Sequence, residues 1–168
     1  RLMDRIDFDN MTITDNDFSG LGLDDELLTR VLRVRFQQAT GSLDALDFSN
    51  NRIRNISLLA HYVTHANITS LVLSSNQISH ITPLIQVLPN TSISSLDLSQ
   101  NDITDIIPLV QVLPDTHLSS LQLSGNPMGE LIPFVKAMLF YQLTSIDLDL
   151  INVVESNILY DMVVQCTS

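Results

Sequence analysis

Residue types able to do chemistry are few in this chain and lie far apart. In His61-Tyr-Val-Thr-His65 the two histidines stand four apart, so a helix would place both imidazoles on one face, as a metal site begins. A zinc peptidase would also need a glutamate base and a third ligand, and neither is evident. Both histidines fall off the apolar stripe Ile56, Leu59, Val63, so exposed positions without a metal are expected, with His65 suiting its helix end. Cys166, the single cysteine, has no sequence-adjacent histidine or basic residue and is expected to be a free thiol rather than a nucleophile. One cysteine excludes an internal disulfide. Gly-rich phosphate loops, Gly-x-Ser-x-Gly elbows and Cys-x-x-Cys pairs are absent. No catalytic residue, metal or cofactor is expected, and the chain reads as non-enzymatic.

Carboxylates are the abundant polar chemistry. Nineteen acids, mostly Asp, against eight basic residues give a net charge of −11, a field that repels phosphate backbones and acidic lipid surfaces. Nucleic acid and membranes are therefore not expected as partners. No apolar run reaches the length of a membrane span, and no basic-then-apolar leader opens the chain. Because the chain opens on Arg1 rather than methionine, we expect a mature product or a fragment with an N-terminus further upstream. Arg30, Arg33, Arg35, Arg52 and Arg54 lie close in sequence and are expected to form a solvated face rather than an anion site. Asn-x-Ser/Thr matches at Asn10, Asn55, Asn67 and Asn90 are attributed to chance in a chain so rich in these residues.

The elements that must position these groups follow from an internal period. The stretch Ile93–His117 recurs before and after itself at 25-residue spacing without insertion or deletion. Leu43, Leu46, Phe48, Ile53, Ile56, Leu59 and Val63 mark the apolar positions of the first regular unit. The same positions in the next four units are apolar except Ser156, far beyond what a 45% apolar composition gives by accident. Alternation such as Leu96-Asp97-Leu98 predicts a short half-buried strand, and the later apolar positions follow a helical period. Pro83, Pro108 and Pro133 suit a helix start, Thr82 can cap, and Pro89 and Pro114 stop the helix after about two turns. No unit can bury its apolar edge alone, so the units must stack, with a parallel sheet on one face and helices on the other.

The ninth position of each unit is Asn51, Asn76, Asn101 and Asn126. An amide beside buried leucines needs partners, so a structural ladder to neighbouring turn backbones is expected, with Asn101→Ala costing about 1–3 kcal/mol.

The stretches LDALDFSNNRI, ITSLVLSSNQI, ISSLDLSQNDI and LSSLQLSGNPM match L-x-x-L-x-L-x-x-N-x-L/I, so the chain resembles leucine-rich repeat proteins over residues 43–168. The resemblance implies an α/β solenoid with a curved parallel sheet on the concave face and short helices on the convex face, and a role in binding proteins. The L-T/S-S-L-x-L-S-x-N wording preceded by Leu-Pro also resembles repeats in effector proteins of intracellular bacteria such as Legionella. That likeness implies bacterial origin and action in the cytoplasm of a host cell.

A single domain over 1–168 is expected, with regular units at 43–67, 68–92, 93–117 and 118–142. Residues 1–42 are expected to be a modified first unit, in which Met11 replaces the Asn and an acidic, turn-rich insert runs through Gly20 and Gly22. A helix should follow, capped near Asp24, with Leu27, Leu28, Val31 and Val34 turned inward. Residues 143–168 form a degenerate last unit, with Ile151 in place of Asn. Its apolar Val163, Val164 and Cys166 imply either further chain or a partner on that face.

The strand residues between the leucines remain as a binding surface. Their central column is Asp7, Asp47, Val72, Asp97, Gln122 and Asp147, with Asp44 beside it. This acidic, serine-rich groove lacks aromatic and Arg anchors and should attract a protein with a basic patch, the chain itself being favoured as a monomer. Three alternatives stand beside this reading. The Asp and Ser can be the repeat's default residues, the chain can be the recognition part of a larger enzyme, or it can be a self-associating scaffold.

Overall fold

The structure is a computed structural model that describes residues 16–37, 43–129 and 143–147. Helix α1 spans Asp25–Gln37, and strand β1 (Ala45–Asp47) leads to α2 (Ser57–Thr64). Then come β2 (Ser70–Val72), α3 (Thr82–Val87), β3 (Ser95–Asp97), α4 (Ile107–Val112), β4 (Ser120–Gln122) and β5 (Ser145–Asp147). The strands form one parallel sheet in the order of the chain, with Leu46, Leu71, Leu96, Leu121 and Ile146 side by side. In-register pairing at the 25-residue step is the stacking that the period requires.

In β1 to β4, each three residues long, the central side chain faces inward. The ladder then continues into the turn, where Phe48, Leu73, Leu98 and Leu123 donate their N–H groups to Val72, Asp97, Gln122 and Asp147 at 2.8–2.9 Å. One continuous core results, in which Leu46, Leu71, Leu96 and Leu121 are at most 1% exposed and Leu59, Leu84 and Leu109 cover them from the helix side. Each such side chain contributes roughly 1.5–3 kcal/mol by burial. Ile146 departs from the series and is 38% exposed, because among the described residues no further layer packs against β5.

The helix ends correct one expectation. Thr82 is the first residue of α3 rather than its cap, Ile81 takes the cap position, and no side chain caps this helix. With Thr82 and Pro83 both inside the first turn, the threonine hydroxyl lies past the point from which a cap reaches forward. Pro89 and Pro114 do end the α-helices, each within a 3₁₀ turn at Leu88–Asn90 and Leu113–Asp115.

Among the described residues, the turns after β1, β2, β3 and β4 pass through left-handed backbone at the residue before the ladder position. Asn50, Ser75 and Gln100 have φ of 54–56°, and Gly125 has φ of 71°. A residue with a Cβ is strained there, whereas glycine is not. Ser75→Gly is therefore expected to raise stability by about 0.5–1 kcal/mol, the strain relief exceeding glycine's entropy cost. Thermal denaturation checks it, and a lowered Tm would contradict it.

The stretch read as a turn-rich insert is built as a further layer of the stack. Asp17 forms a parallel bridge to Asp47, Phe18 N–H donates to Asp47 O at 2.7 Å, and Asp47 N–H donates to Asn16 O at 2.9 Å. Phe18 and Leu23 are buried thirty residues before Phe48 and Ile53, and Gly20 repeats the left-handed turn with φ of 65°. The lengthened step accommodates α1, a 13-residue helix in place of the short ones. Asp24 caps it as expected, accepting from Leu27 N–H at 3.0 Å. Its inward face is Leu28, Val31, Leu32 and Arg35, with Leu27 and Val34 only partly buried.

Arg35 overturns part of the expectation for the arginine cluster. Arg30, Arg33, Arg52 and Arg54 are exposed, but Arg35 is 2% exposed because its helical position continues the Leu28–Leu32 face. Its Nε and Nη2 donate to Asn16 Oδ1 at 3.3 and 2.9 Å, while Nη1 has no partner.

Candidate protein-binding face

The face is fixed from beneath by the four ladder asparagines, all buried. Asn101 Oδ1 accepts from Ile78 N–H at 3.0 Å, and its Nδ2 donates to Leu73, Leu98 and Ser99 carbonyls at 2.9–3.1 Å. Asn51, Asn76 and Asn126 repeat the arrangement, accepting from Leu23, Ile53 and Ile103. Each amide thus joins the turn of its own unit to the backbone of the unit before it. The ladder closes at Met128, whose N–H turns to Asn126 O at 2.8 Å.

Above this frame, the side chains at the ends of each strand form rows on the open face of the sheet. Asp47, Val72 and Asp97 are half-buried there, and Gln122 and Asp147 are exposed. Asp44 is exposed at the entrance to β1, and Asp7 lies outside the described residues. Register brings Asp47, Val72, Asp97, Gln122 and Asp147 into one row, with carboxylates on alternate strands.

These carboxylates are also built into the turns. Asp47 Oδ1 accepts from Ser49 N–H at 2.8 Å, and Asp97 Oδ1 accepts from both the N–H and the hydroxyl of Ser99 at 2.9 and 2.6 Å. Asp17 repeats the motif with Ser19. Those two bonds, first the hydroxyl and then the backbone N–H, hold the Asp17 carboxyl below the usual carboxylate range. Asp147 Oδ2 accepts from Ser124 Oγ of the preceding unit at 2.7 Å. In Asp47, Asp97 and Asp147 one oxygen serves the turn and the other is left to face solvent or a partner.

A second row of hydroxyls, not foreseen, stitches the units along the sheet's entrance. Thr69, Ser94, Ser119 and Thr144 hydroxyls donate to the carbonyls of Asp44, Thr69, Ser94 and Ser119 at 2.9–3.2 Å. The signal was a Ser or Thr recurring at 25-residue spacing. Ser70, Ser95, Ser120 and Ser145 stand between the two rows.

Two other places gather polar or ring groups. A cleft of about 380 Å³ is lined by Asp24, Asp25, Glu26, Arg52, Arg54 and Gln77. Its acids are engaged: Asp24 in capping α1, Asp25 in accepting from Arg54 and Asn55 N–H, and Glu26 in an ion pair with Arg30 at 3.1 Å. His61 lies exposed on α2 and His65 exposed at its C-terminal cap, on the helix side. Among the described residues no three His, Cys, Asp or Glu gather as metal ligands, and no helix is long and apolar enough to cross a membrane. Cys166 lies outside the described residues.

A leucine-rich repeat family model matches residues 90–106, the end of α3's return and the strand and ladder turn of the next unit. No curated protein matches the chain. The sheet of in-register parallel strands, the short helices and this match define an α/β leucine-rich repeat solenoid. Repeats of this class are typically non-catalytic and generally mediate protein–protein interaction.

Proposed function

We propose that the chain is a non-enzymatic module that binds a protein through the open, concave face of its sheet, the row Asp47, Asp97 and Asp147 steering a partner with a basic patch. The observation that carries this reading is the row itself. Three carboxylates on alternate strands of a rigid frame each keep one oxygen outward, on a chain of net charge −11. Asp44 extends the negative field at the β1 end. The field disfavours nucleic acid and anionic lipid. The resemblance to bacterial effector repeats supports a site of action in the cytoplasm of a host cell.

A second reading has its own observation. Asp-x-Ser bonds at Asp17, Asp47 and Asp97 make these aspartates part of the repeat's architecture, whether or not anything binds. Substitution by Asn separates the two, since the amide oxygen can still accept from serine while the charge is gone. The triple variant Asp47→Asn, Asp97→Asn, Asp147→Asn is expected to keep the fold and to lose most proteins captured from host lysate by the unmodified chain. An unchanged captured set would leave the aspartates with their turn role alone.

A further inference from the structure

We propose that His61 and His65 form a two-histidine site for a divalent transition-metal cation of the Zn²⁺, Ni²⁺ and Cu²⁺ group. His61 in α2 and His65 at its C-terminal cap bring their exposed rings together, with centroids 5.1 Å apart and planes tilted by 53°. A cation bonded to one nitrogen of each imidazole at about 2.1 Å, near the tetrahedral angle, holds the ring centres about 5 Å apart. The separation of the ring centres thus matches the one a shared cation requires.

The hydrogen bonding of His65 is the second observation. Its Nδ1 lies 3.0 Å from the carbonyl oxygen of His61. A carbonyl only accepts, so Nδ1 carries the proton, and in the neutral ring Nε2 keeps the lone pair a metal needs. A bond from the far ring nitrogen to a backbone carbonyl is the device that orients and fixes metal-ligating histidines. Tyr62 meets the His61 ring edge-on, with centroids 5.8 Å apart. Two imidazoles favour borderline cations over Mg²⁺ or Ca²⁺, which take oxygen ligands. Water or a side chain of a bound molecule fills the remaining coordination positions. The site lies on the helix side, away from the proposed protein-binding face, and does not depend on that reading.

Isothermal titration of the full chain with nickel(II) or zinc(II) chloride in a non-coordinating buffer tests the site, with circular dichroism to confirm that each variant is folded. One equivalent is expected to bind, His61→Ala and His65→Ala each weakening it about tenfold or more and His80→Ala and His117→Ala leaving it unchanged. Paramagnetic nickel should broaden the imidazole NMR signals of His61 and His65 first. No binding, binding unaffected by His61→Ala and His65→Ala, or equal affinity for magnesium would overturn the proposal.

Discussion

Phe48→Ala is expected to lower stability by about 4 kcal/mol. Phe48 is fully buried at the inward position just past β1, and its ring stacks on Phe18 with centroids 5.0 Å apart and planes 11° from parallel. Its carbonyl accepts from both Asn51 and Asn76 at 2.9 Å, so a shift of this residue disturbs two rungs of the ladder. Neighbouring units carry Leu73, Leu98 and Leu123 at this place, so Phe48→Leu is the control, expected to cost less than about 1.5 kcal/mol. In thermal denaturation the alanine variant should melt roughly 8–16 °C lower. Equal losses for alanine and leucine would show that cavity volume is not the cause.

Asn101→Ala is expected to cost about 3 kcal/mol, because it leaves the buried Ile78 N–H without an acceptor and removes a donor from three carbonyls at once. This is the upper end of the range suggested by one buried amide, since each amide serves two units. Asn101→Asp should cost at least as much, since it keeps the acceptor for Ile78 N–H but sets a carboxylate oxygen against three buried carbonyls. Urea denaturation of the two variants beside Gln122→Ala, an exposed site worth less than about 0.5 kcal/mol, separates ladder loss from general perturbation. A midpoint for Asn101→Ala equal to that of Gln122→Ala would remove the ladder's energetic role.

The parts of the fold legible in the sequence are those with an unbroken 25-residue step. Leu46, Leu71, Leu96 and Leu121 could be placed inward side by side because each is flanked by polar neighbours and recurs without a slip. Phe18 and Leu23 escaped, although they do the same work. Their unit is longer, and Leu21 stands where the others have Asn, so the pattern breaks at its most recognisable residue. The left-handed turn at Ser75 and Gln100 was hidden because neither is glycine. The charge of Arg35 suggests a solvated side chain, yet helical geometry puts its stem on the buried face, and only the fold shows that Asn16 is its acceptor.

The candidate face was legible as a row and not as chemistry. Spacing alone aligns Asp47, Asp97 and Asp147, whereas the capture of one carboxylate oxygen by Ser49, Ser99 or Ser124 depends on the turns that follow β1, β3 and β4. Those bonds restrict what the row can offer a partner. Each aspartate presents one oriented oxygen rather than a freely rotating carboxylate, which suits a fixed pattern of Lys or Arg more than a diffuse basic tail.

Salt dependence of association is the most direct measurement of steering by this row. For a partner recovered by the unmodified chain, association rates would be measured from low to physiological salt for that chain and for the Asp47→Asn, Asp97→Asn, Asp147→Asn variant. Carboxylate steering predicts a rate that falls steeply with ionic strength for the unmodified chain and a much flatter dependence for the variant. The same steep slope in both would contradict it.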